Sequence, residues 1–255
     1  MRLIDTHAHV YLEEFTNDIG DIMKRAAEKG VDQIVMPAVD SSTHLAMLGM
    51  EENYPGICIS MMGLHPCSVK ADYEGELRII ADYLSKRKFV AVGEIGLDFY
   101  WDVSFKEQQY AAFHRQVEWA LEYDIPIAIH SRNATEECIG VVQQHQEGKL
   151  KGVFHCFSGT LEQAKKIIGA GLYLGIGGVL TYKNSGLDKV IKEIGPEHII
   201  LETDAPYLSP VPFRGKRNES SYLTYTLQKL ADIKETGIET ITAITTQNAE
   251  KLFGL

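Results

Sequence analysis

Short apolar segments, many of them rich in β-branched residues, recur along the chain at intervals of roughly 25–35 residues. Each is bounded by turn-forming or polar residues, which is typical of β-strands. We predict eight strands, at Leu3–Thr6, Gln33–Pro37, Ile57–Met62, Phe89–Gly93, Ile125–His130, Gly152–His155, Leu172–Ile176 and Ile199–Thr203. The spacing leaves room for a helix between successive strands, as in repeated βα units.

Segments with helical periodicity lie between the predicted strands. In Ile19–Lys29, apolar side chains at Ile22, Met23 and Ala26 fall on one face, and Gln109–Leu121 shows the same pattern. Strands that are apolar on both faces and alternate with helices indicate a parallel sheet covered by helices. We therefore predict an α/β fold in which the strands close into a (β/α)8 TIM barrel.

An open, doubly wound sheet is the alternative arrangement of the same elements. It predicts a glycine-rich phosphate-binding loop after the first strand, but Thr6-His7-Ala8-His9 stands at that position. No Pro/Ser-rich linker, low-complexity run or sequence repeat divides the chain. We therefore expect a single barrel domain over residues 1–255.

Composition indicates the cellular compartment of the protein more than its activity. The hydrophobic content of 45% and the charged content of 24% are ordinary for a globular protein. The four cysteines form no CxxC pair, and no stretch resembles a signal peptide or a membrane span, so we expect a cytoplasmic protein outside the membrane. A net charge of −10 argues against broad coating of nucleic acid, although a local basic patch can still serve a nuclease. Nothing indicates an obligate protein partner, and the oligomeric state is left open.

Six potential metal ligands follow apolar strands, at the barrel face where active sites lie. They are His7, His9, Glu94, His130, His155 and Asp204. Each has an ordinary structural alternative, such as a surface histidine, a salt bridge or a helix cap. Burying all of them together is costly unless a cation or a hydrogen-bond network compensates them. The set therefore predicts a site for divalent cations, which activate water for hydrolysis.

Other residues on the same face suggest contacts with a substrate. His65 ends the third strand, and we assign it a supporting or substrate-contact role rather than direct ligation. Three cations after the eighth strand, Arg214, Lys216 and Arg217, can clamp a phosphodiester, although a solvated basic loop is the alternative. Tyr100 and Trp101 could stack a base, but packing in the core or at the rim is the more common role of such a pair.

Seven short motifs are spread over nearly the whole chain. They are Asp5-Thr6-His7-Ala8-His9, Gly63-Leu64-His65-Pro66, Gly93-Glu94-Ile95-Gly96-Leu97-Asp98, Ile129-His130-Ser131-Arg132, His155-Cys156-Phe157-Ser158-Gly159, Glu202-Thr203-Asp204-Ala205-Pro206-Tyr207 and Arg214-Gly215-Lys216-Arg217-Asn218-Glu219. In this order they resemble the TatD family of metal-dependent deoxyribonucleases, which are amidohydrolase-like barrels. The combination is highly specific to that family.

The resemblance implies two divalent cations, which could be Mg, Mn, Zn or Fe. By position, His7 and His9 would bind the first cation together with Asp204. His130 and His155 would bind the second, and Glu94 would bridge the two. The substrate would be DNA, degraded in the 3′-to-5′ direction, with Glu94 and Asp204 as the catalytic carboxylates and Asp204 as the general base. Asp98 could orient a ligand histidine.

Three positions depart from the usual family pattern. Phe213 and Ser220 stand where a histidine and a proline are usual, and Asn133 stands where an aspartate is common. We expect these changes to affect substrate fit rather than hydrolysis.

Two other functions are compatible with the same residues. A metallohydrolase of an amide, a lactone or an aminoacyl ester, for example a D-aminoacyl-tRNA deacylase, would use the same metals on a carbonyl carbon. A nucleic-acid quality-control partner with vestigial hydrolysis is the other alternative, although the complete set of six ligands argues against it.

Overall fold

The computed structural model describes residues 2–255, in which eight parallel strands form the centre of the protein. The strands are β1 Leu3–Asp5, β2 Val31–Met36, β3 Cys58–Ser60, β4 Val92–Asp98, β5 Ile127–Arg132, β6 Gly152–Phe154, β7 Tyr173–Ile176 and β8 Ile199–Leu201. They form two hydrogen-bonded sheets, β1-β2-β3 and β4-β5-β6-β7-β8. Parallel bridges from Met62 to Val92 and from Ala8 to Ala205 join the sheets at both junctions. The predicted parallel α/β barrel is thus confirmed.

Helices follow the strands and cover the outside of the sheet. The helices are α1 Ile19–Glu28, α2 Ser41–Asn53, α3 Tyr73–Lys86, α4 Lys106–Tyr123, α5 Thr135–His145, α6 Leu161–Gly169, α7 Leu187–Lys192, α8 Leu223–Lys234 and α9 Ile238–Phe253. Short 3₁₀ segments occur at Glu13–Phe15, Pro66–Ser68, Gly178–Thr181, Pro196–His198 and Ser220–Tyr222. Among the helices within residues 2–255, none combines the length and apolar character required to cross a membrane.

The core has an inner layer within the barrel and an outer layer beneath the helices. The inner layer takes side chains from seven strands or the residues flanking them: Ile4, Val35, Met61, Ala91, Ala128, Val153 and Ile200. Leu252 and Phe253 of α9 pack against this layer. Because α9 also donates hydrogen bonds from Thr246 to Arg2 O and from Asn248 to Ile199 O, it covers the end of the barrel where the strands begin. The opposite end, where the strands finish, is left for the candidate site.

β4 differs from the prediction. We expected it to end at Gly93, but it runs from Val92 to Asp98, and its register shifts between Gly93 and Ile95. Glu94 therefore lies inside the strand, at the irregularity, and not after its end. Gly96 allows a close approach between β4 and β5, because its backbone (φ +133°) lies against that of His130.

The glycine at position 96 should be essential for the fold. A Cβ there would lie 2.1 Å from His130 O and would require a backbone conformation that L side chains rarely adopt. Gly96→Ala should lower the free energy of unfolding by about 2–3 kcal/mol in urea titration. Gly49 in α2 has no heavy atom within 4 Å of an added Cβ, so Gly49→Ala should instead stabilise the protein by about 1 kcal/mol. Equal stability of the two variants would contradict this role of Gly96.

Candidate metal centre

A buried carboxylate, Glu94, stands at the centre of the candidate site. One of its oxygens, Oε2, lies 3.1 Å from His7 Nε2 and 3.6 Å from His9 Nε2. Asp204 completes this group, because its Oδ1 lies 3.8 Å from His7 Nε2 and 3.7 Å from His9 Nε2. Two imidazoles and two carboxylates thus meet where β1, β4 and β8 come together.

The other oxygen of Glu94 faces a second group of histidines. Glu94 Oε1 lies 2.8 Å from His130 Nδ1, 2.9 Å from His155 Nε2 and 3.3 Å from His65 Nε2. The two groups are in contact, because the His7 and His155 rings stack with their centroids 3.8 Å apart. A single carboxylate therefore lies between two sets of ring nitrogens.

Hydrogen bonds on the far side of His9 and His130 determine which nitrogen faces Glu94 with a lone pair, and a carboxylate also lies behind His155. The Tyr11 hydroxyl donates to Pro37 O and therefore accepts from His9 Nδ1, 3.0 Å away. Asp98 Oδ2 lies 2.8 Å from His130 Nε2, and Glu202 Oε1 lies 3.5 Å from His155 Nδ1. Since the acceptors behind His9 and His130 hold the ring proton at the far nitrogen, each of these rings, when neutral, presents its other nitrogen to Glu94 as a lone pair.

His65 has the opposite arrangement. Its Nδ1 accepts a hydrogen bond from the backbone N–H of Cys67 at 3.0 Å. The neutral ring therefore carries its proton on Nε2 and donates it towards Glu94 Oε1. This geometry favours a supporting contact for His65 over direct ligation of a metal.

The electrostatics of the cluster fit a bound cation. Burial lowers the pKa of His7 to about 4 and that of His9 well below its usual value, so both rings are neutral at pH 7. Burial acts to raise the pKa of Glu94, but the surrounding histidines lower it by more. The net pKa is well below its usual value, so the carboxylate is ionised. Lone pairs facing an ionised carboxylate repel it unless a cation lies between them. Nitrogen and oxygen donors within 4.8 Å of one another are a suitable ligand set for a divalent metal.

Asp204 and His155 have strongly perturbed acidities. Burial raises the pKa of Asp204 to about 8, and the nearby Glu94 adds to the rise. Burial acts to lower the pKa of His155, but Glu94 and Glu202 on its two sides raise it well above the usual value. A metal bound at His155 would therefore displace a ring proton.

Backbone contacts between β1 and β8 bring the first and last ligands together. Asp204 N donates to His7 O at 2.8 Å. Below them, the buried Asp5 carboxylate accepts from Thr203 N at 2.9 Å and from the Thr203 hydroxyl at 2.6 Å. The motifs around His7 and Asp204 are thus held in register although they lie at opposite ends of the chain.

The second half of the loop after β8 is fixed to the barrel. Arg217 makes two hydrogen bonds to the Asp18 carboxylate, at 2.9 Å and 2.6 Å. Asn218 Nδ2 donates to Thr203 O and Tyr207 O, both at 2.7 Å, and Glu219 accepts two hydrogen bonds from Arg25. We expected Arg217 to contact substrate, but its guanidinium is occupied by Asp18.

The first half of this loop carries free positive charge. Arg214 and Lys216 are exposed, and neither forms an ion pair with any residue in the described range 2–255. The Arg214 guanidinium lies 4.5 Å from the centre of the Tyr182 ring. Tyr182 and Arg214 lie on the segments that follow β7 and β8, at the end of the barrel where the candidate site lies.

Comparison with known proteins identifies the family. A family profile described as "TatD related DNase" matches residues 4–254. The chain belongs to the TatD family. It is 39% identical over 252 residues to the uncharacterized metal-dependent hydrolase YabD of Bacillus subtilis, with 98% of each chain covered. It is 32% identical over 262 residues to the 3′-5′ ssDNA/RNA exonuclease TatD of Pantoea ananatis, with 99% of this chain and 100% of that one covered.

A solved TatD-family structure agrees with this assignment. The crystal structure of YjjV, a TatD homolog from Escherichia coli K12, superimposes with a TM-score of 0.94 at 31% identity, covering 100% of this chain and 98% of that one. This TatD-family chain is therefore a metal-dependent hydrolase, with histidine, glutamate and aspartate groups that can hold metal.

All six residues that the sequence predicts as metal ligands lie together in the candidate site: His7, His9, Glu94, His130, His155 and Asp204. Their individual ligand roles stay predictions. Sequence reasoning did not identify Glu202, which supports His155. The i, i+2 spacing of Glu202 and Asp204 was a weak signal, because both residues follow β8 and Asp204 has a left-handed φ of 58°.

The three departures from the family pattern lie away from Glu94. Phe213 stacks on Tyr222, with ring centroids 4.1 Å apart, and Ser220 is buried at the start of a 3₁₀ segment. Asn133 has a φ of 53°, a left-handed conformation that asparagine adopts more readily than most residues. These positions shape the loops around the site and do not belong to the ligand set.

Proposed function

We propose that this chain is a deoxyribonuclease that hydrolyses phosphodiester bonds of DNA from the 3′ end. The observation that carries the proposal is the free charge of Arg214 and Lys216 on the segment that follows β8 and Asp204, in a chain whose net charge is −10. Such cations stabilise a phosphate group, whereas an uncharged amide or lactone does not require them. The relative named as a 3′-5′ ssDNA/RNA exonuclease supports the direction of degradation.

Two divalent cations would occupy the site, with Mg, Mn, Zn and Fe all compatible with the donor set. His7, His9 and Asp204 would hold the first, on the side of Glu94 Oε2. His130 and His155 would hold the second, on the side of Glu94 Oε1. Glu94 is suited to join the two because its oxygens face different sets of nitrogens.

The metals, when bound, supply an activated water and stabilise charge on the phosphoryl oxygens. The protein positions the groups around this reaction. Asp204 is the candidate general base, because its carboxylate faces both His7 and His9 and its burial favours acceptance of a proton. His65 donates towards Glu94 from the side of the second set and would contact substrate there.

The basic loop should bind a phosphate of the DNA strand. Arg214 presents a guanidinium backed by Tyr182, and Lys216 adds a mobile point charge. Arg217 would contribute only indirectly, because its contacts with Asp18 hold the loop in place. Phosphate binding is therefore assigned to Arg214 and Lys216.

DNA cleavage by the metal-loaded protein tests the proposal. With Mg²⁺ or Mn²⁺, purified protein should shorten a 5′-labelled single-stranded oligonucleotide from its 3′ end, giving a ladder of products on a denaturing gel. The double variant Arg214→Gln/Lys216→Gln should bind the strand more weakly and reduce the salt slope of binding by about 0.7 for each phosphate that is no longer bound. Metal content should stay the same.

Two controls define the outcome of this experiment. Lys149→Gln, an exposed residue just before β6 and so at the opposite end of the barrel, should match the wild type in cleavage and in salt slope. Hydrolysis of an aryl acetate or a lactone without any DNA cleavage would replace the proposal with a carbonyl hydrolase. Normal DNA cleavage by the double variant at every salt concentration would show that the loop is only a solvated surface.

A further inference from the structure

A stacked group of one arginine and two aromatic rings lies beside the metal centre. The Arg132 guanidinium is 3.8 Å from the centre of the Tyr100 ring and 5.2 Å from that of Trp101. The two rings contact each other edge to face, with centroids 4.9 Å apart. Arg132 lies on β5 two residues after His130, so both side chains leave the same face of the strand.

The charge of Arg132 is not used within the protein. Most arginines of the chain have an acidic partner: Arg2, Arg25, Arg87, Arg115 and Arg217. Within residues 2–255, no ion pair involves Arg78, Arg132 or Arg214. Arg78 lies on the outer helix α3, whereas Arg132 and Arg214 are both on the side of the metal centre. Two free guanidiniums at this face of an acidic protein are suited to an anionic ligand.

Tyr100 and Trp101 form an aromatic platform whose rings are exposed although its backbone is held in place. Tyr100 is 52% exposed and Trp101 is 67% exposed, so neither ring is buried in the core. The backbone N–H groups of both residues donate to Asp98 Oδ1, at 2.9 Å and 3.1 Å. Asp98 also holds His130 through its other oxygen. The position of the platform is therefore coupled to a predicted metal ligand.

We propose that Arg132, Tyr100 and Trp101 form a nucleotide-binding subsite for the substrate strand. The faces of the guanidinium rest on the rings, and its N–H edge is free to make parallel hydrogen bonds to a backbone phosphate. The exposed face of Trp101 stacks one base. This inference rests on the proposed function, because it takes the strand to be the substrate.

The subsite complements the basic loop across the mouth of the barrel. β5 is separated from β8 by β6 and β7 in the sheet, so Arg132 and Arg214 approach the metal centre from different sides. Each guanidinium is backed by an aromatic ring, Tyr100 in one case and Tyr182 in the other. A strand crossing the mouth would place two of its phosphates on the two arginines.

Binding of a slowly cleaved strand tests the subsite in the metal-loaded protein. The probe is 5′-fluorescein hexathymidylate with phosphorothioate linkages, followed by fluorescence anisotropy over a range of NaCl concentrations. Arg132→Gln and Trp101→Ala should each raise Kd roughly tenfold at low salt. Arg132→Gln should also reduce the salt slope by about 0.7, whereas Trp101→Ala should leave the slope unchanged. Arg132→Lys should restore the slope but not the full affinity.

A base-deletion series identifies stacking on Trp101. Probes with a single abasic position should bind the wild type more weakly when that position is the stacked one. Trp101→Ala should bind this abasic probe and the intact probe equally well. The abasic position and the Trp101→Ala substitution each remove the same stacking contact, so the second change has no further effect. Arg78→Gln, the matched control on α3, should equal the wild type with every probe.

The outcomes separate the subsite from the proposed function. If Arg132→Gln keeps the wild-type Kd and salt slope, or Trp101→Ala still discriminates against the same abasic probe, the subsite is overturned while DNA cleavage can stand. If the variants behave as expected but the wild type cleaves no DNA, the subsite stands and the nuclease assignment fails. A wild type that binds no strand at low salt overturns the subsite as well.

Discussion

Glu94→Gln should lower turnover on DNA by roughly 10³-fold or more, because the metals contribute several kcal/mol to transition-state stabilisation. The physical reason is the position of this carboxylate between two sets of histidines. Its Oε2 faces His7 and His9, and its Oε1 faces His130 and His155. Glutamine keeps the shape of the side chain but offers no negative charge and only one oxygen. Both halves of the site should therefore lose metal together, as measured by inductively coupled plasma mass spectrometry.

A matched control distinguishes this effect from a general loss of acidic charge. Glu136 is an exposed carboxylate paired with Lys166 on the helical surface, and Glu136→Gln should keep both metal content and turnover. The fold of Glu94→Gln should survive, since residues at this end of a barrel serve function more than stability. Full metal content in a folded Glu94→Gln protein would show that Glu94 does not bridge the two sets.

Asp204→Asn should reduce turnover by at least roughly 10²-fold, the contribution expected from a general base. The asparagine side chain would keep an oxygen near His7 and His9 but could not accept a proton at neutral pH. The change in KM should be smaller than the change in kcat, because the proposed substrate contacts are Arg214, Lys216 and Arg132, and none of them is replaced. Single-turnover cleavage at saturating DNA measures the step directly.

The metal content of the Asp204→Asn protein distinguishes a general base from a metal ligand. Loss of kcat with metal retained supports the role of Asp204 as the base, whereas loss of metal from the His7 and His9 set assigns it to ligation alone. Asp82→Asn, an exposed residue paired with Lys86, serves as the control and should be unchanged. An unchanged rate for Asp204→Asn at saturating substrate would remove this residue from the reaction.

The repeat of apolar segments was sufficient to predict the barrel and the place of its site. In a parallel barrel, all strands finish at the same end, so residues that follow different strands must converge. This is why His7, His155 and Asp204, far apart in the sequence, could be assigned to one cluster. The ends of β4 and β5 were misplaced, because glycines and polar residues that normally end a strand here lie inside one.

The amino-acid sequence by itself thus determined the fold, the end of the barrel that carries the chemistry and the residue types gathered there. Only the tertiary structure decided how Glu94 divides its oxygens between two groups of histidines and which nitrogen of His9, His130 and His65 faces it. It also decided that Arg217 is held by Asp18 while Arg132 is free. The physical reason is the distance along the chain over which each signal acts. Hydrophobic periodicity indicates which residues of a single helix or strand are buried. Hydrogen-bond and ion-pair partners come from segments that meet only when the barrel closes.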